Sequence, residues 1–220
     1  MKRYFPVFLN IQERKCLIVG GGQVAARKAA ALARAGGRVN VVSPRFCRRL
    51  LQLSEKGRVV LHRKPFQAKH LEGTRLAFAC TDDRNVNRRV YAAAKRRGVP
   101  VNVVDSIQQC DFIVPAVVFR GALAIAISTS GVSPALAREM RLQLQKRYGP
   151  GYADFLRLME TSRDRIISAV HQPRQRKRIF QALTSPDFLA QFLRRGKGQS
   201  RRFFQKKLTE LLSAAQNDDV

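Results

Sequence analysis

The chain has 220 residues, with 42 Lys and Arg against 15 Asp and Glu, a formal net charge of +27, and 45% hydrophobic residues. So apolar a composition excludes a disordered basic tail, and the length allows one sizeable domain with an appendage or two small ones. No run approaches the roughly 20 apolar residues of a membrane span, and the N-terminus lacks a signal-peptide apolar stretch, so a cytoplasmic protein without membrane contact is expected.

Taken in chain order, 15–19 is an apolar run that breaks into Gly20-Gly21-Gly22, after which Val24, Ala25, Ala29 and Leu32 recur at helical spacing. This predicts strand, tight glycine turn and helix. A second strand is predicted over 38–42, ending at Ser43-Pro44, with Phe46, Leu50, Leu51 and Leu53 marking the next helix. Further strands are expected at 59–61, 76–79 and 101–104, with a helix over 85–97 between the last two. Alternating strands and helices of this kind predict an α/β fold, a doubly wound parallel Rossmann-type sheet covered on both faces.

After Asp105 the pattern changes. Short apolar runs at 112–114 and 116–118, a turn at Arg120-Gly121 and a run at 123–128 predict a small β element. A helix follows, with Ser133 as N-cap and Pro134 as its first residue. From Tyr152 onward helical spacing, broken at Pro173, Pro186 and 196–198, predicts a set of short helices. The expected organisation is a nucleotide-binding Rossmann domain at 1–113, a small β/α segment at 114–149 and a helical domain at 150–220.

Neither the cysteines (Cys16, Cys47, Cys80, Cys110) nor the histidines (His62, His70, His171) have metal-ligand spacing, so no metal site is expected. The basic excess is spread along the chain, with 28 basic and 8 acidic residues in 1–150 and 14 and 7 in 151–220. No RNA-recognition, zinc-finger or heptad signature accompanies it, so nucleic acid is not an expected partner. The clusters Arg174-Gln175-Arg176-Lys177-Arg178 and Arg201-Arg202 read as a solvated helix face or as a contact for an anionic partner. A general basic field also favours a small substrate with many carboxylates.

The sharpest motif is Gly20-Gly21-Gly22-Gln23-Val24-Ala25, a G-x-G-x-x-A between a strand and a helix. Glycines there let the backbone approach a pyrophosphate, and the helix amides meet its charge, so a dinucleotide is the expected cofactor. The acidic residue that usually holds the adenosine ribose should follow the second strand, but Ser43-Pro44-Arg45 stands there, which leaves NAD and NADP both open. In open parallel sheets ligands bind beyond the carboxyl ends of strands. That rule selects Ser43, the segment Cys80-Thr81-Asp82-Asp83, and Asp105. One of Asp82 and Asp83 is expected to cap the following helix, and Thr81 to line the nicotinamide end. Asp105 is a candidate general base if burial raises its pKa; the alternative is a carboxylate paired with a neighbouring cation or turn.

With these residues in view, the chain resembles the siroheme synthase N-terminal module family, the precorrin-2 dehydrogenases and sirohydrochlorin ferrochelatases. The matching segments are Phe5-Pro6-Val7-Phe8, the glycine turn with its flanks, Ala79-Cys80-Thr81-Asp82-Asp83 with Asn87, Asn102-Val103-Val104-Asp105, Phe112-Ile113-Val114-Pro115-Ala116, and 128–138. The resemblance implies a stand-alone form that oxidises precorrin-2 to sirohydrochlorin with NAD, and that also inserts ferrous iron, a substrate, to make sirohaem. It implies a homodimer joined through the 114–149 segment. Asp105 is then the proton-handling residue, and Gly20, Gly21, Gly22, Gln23, Val24, Ser43, Pro44, Thr81 and Asp82 contact the cofactor. Ser128, Thr129 and Ser130 approach the substrate or the partner subunit, or else form a hydroxyl-rich turn. The competing expectation is a non-catalytic NAD-sensing module whose basic tail binds a partner or nucleic acid.

Overall fold

A computed structural model describes residues 3–217 of the chain; Met1, Lys2 and the expected helical residues 218–220 lie outside the described residues. The chain divides into two compact units, Met1–Val114 and Pro115–Val220.

In the first unit, β1 (Lys15–Val19), β2 (Arg38–Val42), β3 (Val60–His62), β4 (Thr74–Ala79) and β5 (Val101–Val103) form one sheet in the order β3-β2-β1-β4-β5. Every pairing is parallel. The helices α1 (Gln23–Arg34), α2 (Arg48–Glu55) and α3 (Arg84–Arg96) connect β1 to β2, β2 to β3 and β4 to β5, while a loop with a 3-10 turn at Ala68–Leu71 connects β3 to β4. Because side chains alternate along a strand, β1 feeds two cores. Cys16 and Ile18 pack on one face with Ala25, Ala29 and Leu50 of α1 and α2, while Leu17 and Val19 pack on the other with Val90, Ala93 and Ala94 of α3. Burial of both faces of the central strand explains why it reads as a continuous apolar run.

In the second unit, β6 (Ala116–Arg120) and β7 (Leu123–Ile127) form an antiparallel hairpin closed at Gly121, whose φ of 59° suits glycine. Residues 112–114, expected as part of the β element, are not a strand: the Phe112 carbonyl accepts a hydrogen bond from Asn102 Nδ2 instead of a ladder partner (3.0 Å). Helix α4 (Pro134–Arg147) begins as expected, with Ser133 Oγ accepting the Leu136 amide at 3.2 Å. Helices α5 (Gly151–Ala169), α6 (Pro173–Leu183), α7 (Pro186–Arg194) and α8 (Lys197–Asn217) follow. They enclose a core of Phe155, Ile166, Leu183, Phe192, Phe204 and Leu208. Pro173 and Pro186 do not merely break helices. Each is the first helical residue, where its missing amide costs nothing. Gly198, expected in a break, lies inside α8, which Phe204, Leu208 and Leu212 anchor to the core.

Candidate functional site

The carboxyl ends of β1, β2 and β4 converge on the glycine turn. The Gly20 amide donates to Val42 O at 2.9 Å and the Cys80 amide to Val19 O at 2.7 Å, so the chain leaving each strand is tied to its neighbour. Gly20 has φ +130°, and a Cβ there would lie 2.3 Å from Cys80 O. A Cβ on Gly21 would lie 1.7 Å from Arg45 O and 2.8 Å from Ser43 Oγ, because the loop after β2 closes over it and the Cys47 amide donates to Gly21 O at 2.8 Å. Gly22 differs: a Cβ there would meet nothing within 4 Å. It is the N-cap of α1, no side chain caps the helix, and the first turn carries no acidic residue. Unsatisfied amides and the positive helix end are therefore presented where the backbone is barest, the arrangement that receives a diphosphate.

A cleft of about 720 Å³ opens at this turn. Its lining includes Gly20, Gly21, Gly22, Gln23, Val24, Ser43, Pro44, Thr81 and Asp82, so these residues, selected from the sequence, come together. Phe46, Pro65, Phe66, Val86 and Arg89 also line the cleft and were not selected from the sequence. Pro65 and Phe66 follow β3, so the strand-end rule could have found them; Arg89 lies on the second turn of α3 and carries no such signal.

Beyond β4, Asp83 is the N-cap of α3: its carboxylate accepts the amides of Asn85 at 2.7 Å and Val86 at 3.2 Å. Asp82 is exposed in the cleft wall. Thr81 is held by Asn87, whose Oδ1 accepts the Thr81 amide (3.2 Å) and whose Nδ2 donates to the Thr81 carbonyl (2.8 Å). Its hydroxyl is within reach of Asp83 O and Asn87 Oδ1. Sequence reasoning gives Asn87 no role beyond its place in the motif, yet a buried amide on the apolar stripe of α3 with Val90 and Ala94 is a legible signal. Replacing Asp83 with alanine is expected to destabilise the unit by about 1 kcal/mol through loss of the cap. Urea unfolding of the two proteins checks it; coincident midpoints would contradict the capping role.

Asp105 follows β5. Val103 pairs with Ala79, and the Val104 amide donates to Ala79 O at 3.0 Å, so Asp105 leaves the sheet at the level of Thr81 on the adjacent strand. Its backbone is left-handed, with φ 62°, a conformation that aspartate tolerates better than most residues. The turn is held from behind: the Val103 amide donates to Cys110 Sγ at 3.3 Å and the Val101 amide to Asp111 Oδ2 at 3.1 Å. The burial on which its role as a base was conditioned is not found. Asp105 is exposed, and it is not part of the cleft lining.

Ser128, Thr129 and Ser130 belong to the second unit. Ser128 Oγ accepts the Ser130 amide (3.0 Å) and Thr129 Oγ1 the Ser133 amide (3.1 Å), so these hydroxyls hold the turn into α4. The cleft thiol Cys80 is pushed up to about 12 by burial, and Cys16 to about 11, which removes thiolate chemistry near neutral pH. Among the described residues no three His, Cys, Asp or Glu side chains gather as metal ligands, and no helix is long and apolar enough to cross a membrane.

One titrating pair borders the cleft. His62 and His70 have ring centroids 6.3 Å apart, and His70 lies 6.1 Å from the wall residue Phe66. His70 Nδ1 accepts the Gln67 amide at 3.0 Å, leaving Nε2 buried without a partner. Burial, then the positive charge of Lys64, lowers both imidazoles below the ordinary 6.5. Neutral rings are thus favoured in the fold, and stability present above about pH 6.5 is lost as pH falls, because the unfolded chain takes up protons first. The melting temperature is expected to drop between pH 7.5 and pH 5, and less steeply in His62→Gln/His70→Gln; equal slopes would contradict this assignment.

A doubly wound unit with a glycine turn opening its first helix defines a dinucleotide-binding protein. Residues 7–116 match the family model described as "Putative NAD(P)-binding", and residues 120–147 that described as "Sirohaem biosynthesis protein central". The chain belongs to the family of the first model, putative NAD(P)-binding proteins, and the second match is in line with the motif resemblance. It is 39% identical over 211 residues to siroheme synthase of Nitrosospira multiformis, covering 94% of this chain and 44% of that protein. To siroheme synthase of Methylococcus capsulatus it is 41% identical over 178 residues, 81% of this chain and 38% of that one. The chain thus spans less than half the length of these relatives. Among solved structures, SirC, precorrin-2 dehydrogenase, superposes with a TM-score of 0.75 at 23% identity, covering 93% of this chain and 98% of that one, which shows a shared fold.

Proposed function

We propose that the protein oxidises precorrin-2 to sirohydrochlorin with NAD, and that it also inserts ferrous iron into the product. The observation that carries this reading is the common rim: β4 and β5 end in register, so Thr81 of the dinucleotide cleft and the Asp105 turn stand side by side. The glycine turn and the open first turn of α1 fit a diphosphate, with Gly20, Gly21, Gly22, Gln23 and Val24 as its cradle, Ser43 and Pro44 toward the ribose, and Thr81 and Asp82 toward the nicotinamide. When bound, NAD supplies the hydride acceptor.

The rest falls to the chain itself. Removing hydride and proton from the macrocycle leaves the proton to be taken by a base, and Asp105, at the end of β5, is the carboxylate we assign to it. A flat pigment lying across it would exclude water and raise its proton affinity, which supplies the desolvation the chain alone lacks. The same carboxylate would take pyrrole protons as iron enters. A net charge of +27 suits a substrate rich in carboxylates. Ser128, Thr129 and Ser130 are assigned to substrate or partner contact. We assign a homodimer through the 114–149 segment, supported by the exposed apolar residues Phe119, Val132 and Leu136 there.

Anaerobic incubation of the protein with precorrin-2 and NAD is expected to yield NADH and sirohydrochlorin in equal amounts. No turnover would overturn the reading. Ferrous iron added to sirohydrochlorin should then enter faster with protein than without; equal rates would leave oxidation alone.

A further inference from the structure

One charge in the first unit stands where packing alone would not place it. On α1, Ala25, Ala29 and Leu32 face the core, and Lys28, at helical spacing between them, shares their side of the helix. It is half-buried. Its Nζ lies 5.0 Å from the centroid of the Phe78 ring on β4 and donates to Asn102 Oδ1 on β5 at 3.2 Å. Phe78 and Asn102 are partners in the sheet, so one ammonium spans both strands. Its charge also acts on the cleft thiol Cys80, the residue after β4, against the effect of burial. Among the described residues no ion pair engages Lys28. A methionine would fill the same space without desolvating a charge, so stability does not account for the lysine.

What Lys28 holds is the strand that carries Asp105. The Asn102 Nδ2 donates to Phe112 O at 3.0 Å and approaches Cys110 Sγ at 3.4 Å. Phe112 packs edge-on against Phe78, with ring centroids 5.3 Å apart. Cys110 Sγ accepts the Val103 amide at 3.3 Å, and the Val103 and Ser106 carbonyls each lie 3.3 Å from it. Residues 103 and 110 are thus joined at the neck of the loop that carries Asp105, and Asn102 fastens that neck to Lys28. The helix at the other end of this link, α1, is the one whose open first turn fits the diphosphate. The ammonium therefore ties the dinucleotide cradle to the strand of the carboxylate.

We infer that Lys28 is a positioning residue for the oxidation: through Asn102 it fixes the Asp105 loop relative to the cofactor, so that proton and hydride leave the macrocycle together. The inference rests on the assignment of Asp105 as the base. Lys28 is not part of the cleft lining, so it acts on rate and not on cofactor binding.

The test compares the full chain with Lys28→Met and Lys28→Gln, both of which remove the charge and keep an unbranched side chain. Without ligands, amide hydrogen exchange across residues 103–112 is expected to speed up about tenfold in each variant, in line with loss of one hydrogen bond to a charged group. In precorrin-2 oxidation, kcat should fall about tenfold or more with KM for NAD unchanged, because a small displacement of a reacting group is costly in rate. In an Asp105→Asn background the same substitutions should have no further effect, since Lys28 acts through that carboxylate. Unchanged exchange, an unchanged kcat, or a loss of rate that repeats in full without the carboxylate would overturn the inference and leave NAD-dependent oxidation in place. No turnover by the native chain would overturn the inference together with the oxidation on which it rests.

Discussion

Replacing Gly21 with alanine is expected to weaken dinucleotide binding at least about 100-fold, a loss of roughly 2.7 kcal/mol or more. The cause is backbone rather than side chain. A Cβ at Gly21 would lie 1.7 Å from Arg45 O, so the loop carrying Ser43, Pro44 and Arg45 must shift, and with it one wall of the cleft. Forced overpacking of this kind also costs about 1–3 kcal/mol of stability, so the melting temperature should fall as well. Gly22→Ala separates the two effects. Its added methyl meets no protein atom within 4 Å and its φ of −85° is ordinary, so the fold should be untouched. The methyl would stand where the diphosphate approaches the helix amides, and binding should still weaken by about tenfold or more. Calorimetric titration with NAD beside a thermal melt of each variant checks both. Normal affinity in both variants would contradict the cradle.

The second large effect is expected at Asp105. Changing its carboxylate to the isosteric amide in Asp105→Asn should lower turnover of precorrin-2 at least about 100-fold, the usual minimum for a general base, while NAD affinity is retained. Retention follows from the geometry, since Asp105 is not part of the cleft lining and the turn beneath it is held by Cys110 and Asp111. Asparagine also tolerates the left-handed backbone at φ 62°, so loss of rate would not reflect a broken turn. Near-normal turnover would remove Asp105 from the chemistry. A parallel loss of iron insertion would assign both reactions to one carboxylate.

What the sequence disclosed follows the range of the forces involved. The glycine turn, β1 and α1 are local features: four buried strand residues run into three glycines and then into an alanine stripe, and each step constrains the backbone over a few residues. The cap at Asp83 and the proline start of α4 are legible for the same reason, whereas Pro173 and Pro186 read only as breaks although each opens a helix. Arg89 reaches the cleft through the order of strands in the sheet, which periodicity does not encode. Residues 112–114 looked like a strand because they are apolar, but Asn102 competes successfully for the Phe112 carbonyl. At Asp105 the valine-rich run 101–104 before it predicts a strand end correctly, while the segment leaving the strand is held by Cys110 and Asp111 several residues later.

The most direct measurement is a crystal structure of the protein with NAD and its tetrapyrrole bound. The diphosphate is predicted to lie against Gly22 and the first turn of α1, with the Asp105 carboxylate in contact with the macrocycle beside the nicotinamide. A diphosphate elsewhere, or a carboxylate turned away from the ring, would contradict the account.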